Sequence, residues 1–297
     1  MPHVPIFTGS AAAVTTPFRE DYSLDLCSFD RILEYLLGRK TDAVVVCGTT
    51  GESSTLTDEE KTALISRCTK KVDKKIPVIA GTGSNNTVHA LELSQKAADL
   101  GVDALLLVTP YYNKTTQSGL VGHYSYIAER VALPIIVYNV PSRTGLNILP
   151  ETYEELSRIP NVVAIKEANG DISAMCRTSG LCRDELDIYS GDDALIAPSL
   201  SLGAKGVISV LANVCPVQVH ELCMSFFEGD VKTAAAIQTD YCDLIDALFC
   251  EVNPVPVKFA QSLLGLCSDR VRLPLAKMSD ASRQKLVTAM RRHCLLP

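Results

Sequence analysis

Short runs of apolar, often β-branched residues recur along the chain. They are 11–15, 43–47, 77–80, 104–108, 134–138, 162–165, 186–189 and 206–210, with starts about 20 to 35 positions apart. Runs this short, rich in Val, Ile and Ala, read as buried strands. The stretches between them carry helical periodicity. Ser28 to Gly38 places Ile32, Leu33, Tyr35, Leu36 and Leu37 on one side. Thr57-Asp58-Glu59-Glu60 reads as an N-cap followed by acidic residues that complement the helix dipole. Asn86 to Leu100 is a further helix stopped by Gly101, and Pro150 opens another. Strand followed by helix, repeated eight times, predicts parallel pairing with right-handed crossovers. A closed (β/α)8 TIM barrel over residues 1–229 accommodates this rhythm. An open doubly wound sheet would carry G-x-G-x-x-G after its first strand. Here the comparable Gly81-Thr82-Gly83-Ser84-Asn85-Asn86 follows the third strand and lacks the last glycine.

The strand signals stop near residue 225. Residues 230–250 read as one helix, Asn253-Pro254-Val255-Pro256 breaks the chain, and Val257 to Leu264 and Ser279 to His293 read as two more helices. Residues 230–297 therefore form a helical C-terminal extension, and the absence of a Gly- or Ser-rich linker predicts that it packs on the barrel.

Composition narrows the function. The chain has 297 residues, 47% hydrophobic and 21% charged, with a net charge of −6. That balance suits a globular enzyme and offers no basic stripe for nucleic acid. Met1 to Phe7 has no basic n-region and no long apolar stretch, so no secretory signal is read and a cytosolic protein is expected. No apolar run approaches the roughly 18 residues of a membrane span. The 11 cysteines show no C-x-x-C pair or zinc spacing, and no H-E-x-x-H occurs. Reduced thiols, with Cys47 and Cys68 as small core hydrophobes, and no metal site are expected.

In a barrel, the carboxyl ends of the strands build the active site. Unusual polar sequences follow these ends. Gly48-Thr49-Thr50-Gly51-Glu52-Ser53 follows the second strand, and Thr109-Pro110-Tyr111-Tyr112-Asn113 the fourth. Tyr138-Asn139-Val140-Pro141-Ser142-Arg143-Thr144-Gly145 follows the fifth, and Ser190-Gly191-Asp192-Asp193 the seventh. The amides and hydroxyls of Thr49 and Thr50 suit a carboxylate, or else form a capped tight turn. Tyr138 and Tyr112 suit proton transfer, or plain packing. Arg143 offers a bidentate fork, or is a surface arginine. Asp192-Asp193 is read as a cap or hydrogen-bonding pair.

Lys166 ends the sixth run, Val162-Val163-Ala164-Ile165. A lysine at the mouth of a buried strand loses water, and desolvation disfavours its charged form. The free amine attacks carbonyls and forms a Schiff base. The competing reading pairs Lys166 with Glu167 or turns it to solvent.

The ordered set G-T-T-G-E, T-P-Y-Y-N, Y-N-V-P-S-R-T-G and I-K-E-A resembles the dihydrodipicolinate synthase family. These are pyruvate-dependent class I aldolases related to N-acetylneuraminate lyase, and the resemblance runs from Phe7 to Pro274. It implies that Lys166 forms the Schiff base with pyruvate and that Tyr138 relays protons. It implies that Thr49 links Tyr138 to Tyr112, the latter reaching in from a neighbouring subunit. Thr50 is implied to hold the pyruvate carboxylate, Arg143 the carboxylate of the aldehyde, and Gly191 and the Ile208 carbonyl to line the site. The implied reaction joins pyruvate to L-aspartate 4-semialdehyde, without external cofactor, on the route to diaminopimelate and lysine. A homo-oligomer, commonly a dimer of dimers, is implied. The alternative within the class is a sialic-acid or sugar-acid lyase; those relatives usually carry G-S-T-G-E and lack the arginine, so Thr49 and Arg143 favour the synthase. A barrel that only senses keto acids is disfavoured by the intact Lys166, Tyr138 and Tyr112.

Many family members are inhibited by lysine in a cleft between subunits. Ser53, Ser54, Asn85 and Tyr111 match that cleft. His89 stands where sensitive members carry a glutamate, and Lys61 where many carry a histidine. Weak or absent lysine feedback is expected.

Overall fold

The computed structural model describes residues 4–297. Met1 to His3, part of the segment read above as lacking a signal, lie outside the described residues. Eight parallel strands close a barrel in sequence order: β1 Gly9–Ala13, β2 Ala43–Val46, β3 Val78–Gly81, β4 Ala104–Val108, β5 Ile135–Asn139, β6 Val162–Glu167, β7 Asp187–Ser190 and β8 Gly206–Ser209. The helices α1 Leu26–Leu37, α2 Asp58–Val72, α3 Thr87–Asp99, α4 Gln117–Ala128, α5 Pro141–Thr144, α6 Pro150–Leu156, α7 Ile172–Cys182, α8 Ile196–Ser201 and α9 Pro216–Phe227 follow their strands. Then come α10 Val231–Asp240, α11 Cys242–Leu248, α12 Val255–Leu263 and α13 Asp280–Arg292.

Successive side chains alternate between two apolar layers, as a pleated strand requires. Val45, Leu106, Tyr138, Ala164 and Ile208 pack in the barrel interior, where alanines 11, 13, 43 and 104 leave room for larger neighbours. Val44, Leu105, Val137 and Ile165 face outward beneath the helices. Phe7, just ahead of β1, stacks on the inward Tyr189 with ring centroids 4.2 Å apart. The closing pair, β1 with β8, places Gly9 against Gly206. A Cβ on Gly206 would lie 1.9 Å from the Gly9 carbonyl oxygen, and its φ of +152° is one few side chains tolerate. This contact explains why the first strand starts at Gly9, two residues earlier than its apolar run suggested. The run's last residue, Thr15, leaves the ladder and donates to Gln261 Oε1 at 2.5 Å.

Thr57 and Glu60 form the reciprocal capping box at the start of α2, at 3.2 and 3.0 Å. Asp25 caps α1, which therefore begins ahead of Ser28. The helix expected over 230–250 is two helices. The break falls at Tyr241, whose ring stacks on His293 at 4.2 Å. The change of direction brings Ile245, Asp246 and Phe249 to the cavity described below. α11 and α12 pack against α13, and Leu244, Val257 and Leu286 share one apolar core with the helix-facing barrel residues. All 11 cysteines are free, with Cys47 and Cys68 buried. Among the described residues, no helix is long and apolar enough to cross a membrane. No group of three or more His, Cys, Asp or Glu among them is arranged to hold a metal ion.

Candidate active site

β6 carries Lys166 to the carboxyl rim. Its register partner on β5 is Tyr138. Register partners on adjacent parallel strands point to the same face, so both side chains turn into the barrel mouth. The Lys166 ammonium lies 4.4 Å from the centre of the Tyr138 ring, and only 6% of the residue is exposed. Burial pulls its pKa down to about 8; buried Asp193 opposes that shift and Arg143 adds to it. Glu167 lies on the other face. Its carboxylate accepts hydrogen bonds from Tyr153 Oη at 2.8 Å, Asn139 Nδ2 at 3.0 Å and the Asn169 amide at 2.9 Å. The alternative pairing of Lys166 with Glu167, or exposure to solvent, is thereby excluded.

Tyr138 is itself buried. Burial raises its phenol, while Arg143 and a hydrogen bond to Thr49 oppose the rise. Thr49 and Thr50 reach the mouth because β2 ends abruptly: Cys47 turns into the left-handed region at φ +57°, and Glu52 does so at φ +54°. The tight turn between them directs Thr49 and Thr50 into the mouth, on the wall of a cavity of about 360 Å³ that Tyr138, Arg143, Lys166 and Gly191 also line. Arg143 sits on the single turn α5, which ends at Gly145 with φ +69°.

A residue that the sequence reading treated only as a chain break completes this wall. Asn253 Nδ2 donates to Thr50 Oγ1 at 3.0 Å, and the Asn253 carbonyl accepts from Arg143 Nη2 at 3.2 Å. One helical turn on, Lys258 Nζ donates to Glu52 Oε1 at 2.7 Å, and neither side chain is exposed. The other Glu52 oxygen accepts the Arg272 amide at 2.9 Å. The G-T-T-G-E turn is thus held from the C-terminal helices.

Gly191 follows β7 and abuts the lysine. A Cβ there would lie 3.0 Å from Lys166 Cε and 2.8 Å from Ala168 Cβ. Asp192 caps the next turn through the Ala194 amide at 2.9 Å. Asp193 is buried, accepting from Ser209 Oγ at 2.5 Å and from the Val210 and Leu211 amides at 2.9 Å. The expected capping and hydrogen-bonding roles of this pair are the ones observed.

Two further expected residues do not line this cavity within one chain. The Ile208 side chain is buried in the barrel interior with Tyr138, and Val210, two residues on, lines the cavity. Tyr112 is 91% exposed at φ +69°, and lies outside the cavities that hold Lys166 and Tyr111.

A second cavity, of about 610 Å³, shares Thr49, Tyr138 and Arg143 with the first. Ser53, Ser54, Lys61, Asn85, His89 and Tyr111 all line it. Asp58 also lines it, so the cleft does contain a carboxylate, which the sequence reading overlooked. That carboxylate is already engaged, by His89 Nε2 at 2.9 Å and Lys61 Nζ at 3.3 Å.

Fold and site together define the class: an enzyme of the (β/α)8-barrel type with a desolvated amine beside a phenol at its carboxyl rim. Comparison with known proteins narrows it. The chain belongs to the Dihydrodipicolinate synthetase family, which matches residues 6–293. It is 51% identical over 287 residues to the 4-hydroxy-tetrahydrodipicolinate synthase of Caldicellulosiruptor saccharolyticus, covering 97% of each chain. The crystal structure of dihydrodipicolinate synthase from Thermotoga maritima superposes with a TM-score of 0.96 at 44% identity, covering 98% of this chain and 100% of that one. The dihydrodipicolinate synthase of Cyanidioschyzon merolae, solved with lysine bound, superposes with a TM-score of 0.95 at 39% identity over 98% and 99% of the two chains. These relatives support the synthase reading over the sugar-acid lyase alternative.

Proposed function

We propose that the chain condenses pyruvate with L-aspartate 4-semialdehyde to give 4-hydroxy-tetrahydrodipicolinate. The observation that carries this is the buried Lys166 amine beside Tyr138, in a cavity that also presents Thr50 and Arg143. In this reading Lys166 attacks the pyruvate carbonyl, and Tyr138 passes the protons needed to expel water from the carbinolamine. The iminium loses a methyl proton and becomes an enamine. The enamine carbon attacks the aldehyde carbon, whose oxygen takes a proton. The amine of the second substrate then closes onto the former keto carbon and displaces Lys166, regenerating the free amine. Thr50 holds the pyruvate carboxylate, Arg143 that of the aldehyde, and the reaction consumes no external cofactor. Thr49 orients the Tyr138 phenol, and Gly191 leaves space beside Lys166. The chain divides between residues 229 and 230 into a barrel that holds the reacting groups and a helical segment that braces them, and it works in the cytoplasm.

Incubating the purified protein with both substrates and a reductase that consumes the ring product tests this reading. Steady oxidation of the reductase's nicotinamide supports it; no signal without loss of either substrate refutes it. A second expectation follows from Lys166. With its pKa near 8, the free-amine fraction rises as pH rises, so the rate of adduct formation with pyruvate should climb about tenfold per unit below pH 8 and level off above it. An ordinary lysine would keep climbing to about pH 10. Borohydride quenching at successive times, from pH 6 to 9.5, measures this.

Tyr112 requires a second copy in this reading. Its exposed phenol is completed by a neighbouring subunit, so the working form is at least a dimer, with a dimer of dimers expected. In the cleft, an effector lysine would bring its ammonium to a site where Asp58 is already bound by Lys61 and His89, and would meet Lys61 as a like charge. Sub-millimolar lysine is therefore expected to slow initial rates weakly or not at all, and strong inhibition in that range would contradict it.

A further inference from the structure

We infer that Asn253 is a positioning residue: it turns the Thr50 hydroxyl proton toward the substrate and ties together the two groups that hold the substrate carboxylates. The inference rests on the proposed pyruvate site and adds a part to it. A threonine hydroxyl has one proton to donate and lone pairs to accept with. Asn253 Nδ2 approaches Thr50 Oγ1 at 3.0 Å. With the amide nitrogen donating, Oγ1 uses a lone pair on that side and its proton is free for the cavity, where a carboxylate needs donors. In this orientation Nδ2 gives Thr50 one of its two protons, and Oδ1 has no partner among the described residues.

The same residue takes the Arg143 guanidinium on its main-chain carbonyl at 3.2 Å. Five guanidinium N–H groups are available, so most remain for a ligand. Thr50 is 3% exposed and Asn253 6%, which keeps water from competing for their bond. Neither end of it is free to drift. Glu52, two residues beyond Thr50, is clamped by Lys258, five residues beyond Asn253, through the fully buried pair at 2.7 Å. Asn253 stands 203 positions from Thr50 and 110 from Arg143, so only the docked C-terminal segment brings the three together.

The test compares borohydride trapping of pyruvate with that of methyl pyruvate, the same ketone with its carboxylate masked. Asn253→Ala should raise the pyruvate concentration needed for half-maximal trapping about tenfold, the scale of one hydrogen bond to a charged group. It should leave methyl pyruvate within about twofold and kcat nearly unchanged, because the carboxylate and not the reacting carbon has lost its donor. Asn253→Asp, of the same size, accepts the Thr50 proton and adds a negative charge, so it should weaken pyruvate trapping further, by about 100-fold. With Thr50→Val already present, Asn253→Ala should add no further loss. Equal losses on the two ketones, wild-type pyruvate dependence in both variants, or additive losses with Thr50→Val would each overturn the inference. If the wild-type protein traps no pyruvate at all, the fault lies with the proposed function and not with Asn253.

Discussion

Replacing Lys258 by methionine should lower the free energy of unfolding by about 3–5 kcal/mol, the usual consequence of breaking a buried ion pair from one side. The ammonium lies 2.7 Å from Glu52 Oε1 with both side chains at zero exposure, and 4.3 Å above the Phe18 ring. Methionine fills much the same volume but leaves the Glu52 carboxylate buried without its hydrogen-bonded ion-pair partner, retaining the hydrogen bond from the Arg272 amide. Converting Glu52 to glutamine in the same chain should restore most of the loss, since a neutral amide still accepts that amide proton. Urea melts of the two single variants and the double variant form the cycle. A Lys258→Met change that costs under about 1 kcal/mol would show the pair to be solvated.

Replacing Lys166 by alanine should reduce turnover by at least about 10⁴-fold, the scale on which removal of a covalent nucleophile is felt. Its effect on stability should run the other way. Burial holds the amine near a pKa of 8, so at neutral pH the folded protein must either desolvate a charge or release a proton. Alanine removes that requirement, and the unfolding free energy should stay level or rise, as at sites where function and stability compete. Steady-state assays and urea melts on one preparation separate the two effects. A variant that keeps more than about one hundredth of the activity would place the reacting amine elsewhere.

The sequence carried the barrel because each strand's apolar run is short and β-branched and each intervening helix has its own stop signals. Lys166 alone is open to an ordinary reading, as a partner of Glu167 or a solvated end; it is legible because the rest of the chain gathers polar groups at the same rim. Local signals also placed Thr49, Thr50, Arg143 and Gly191 on one rim, once the strands were known to be parallel. What stayed hidden was contact across long separations. Nothing near Asn253 or Lys258 indicates that they meet Thr50 and Glu52, since the closed barrel and the fold-back of α12 create those contacts. The break at Tyr241 was hidden for the same reason: it accompanies stacking on His293, at the other end of the helical segment. By sequence Asp58 is an acidic first-turn residue of α2, and its second role in the cleft depends on His89 arriving from α3. The part expected of Ile208 follows from family resemblance and belongs to its main-chain carbonyl; its side chain packs inside the barrel.

The central claim is that the amine of residue 166 captures a keto acid covalently. Treating the wild-type protein with pyruvate and borohydride, then weighing the intact chain and mapping its peptides, tests this directly. The account predicts one reduced pyruvate adduct per chain, located on Lys166 and missing from Lys166→Ala. An unmodified chain, or an adduct carried by another lysine, would contradict it.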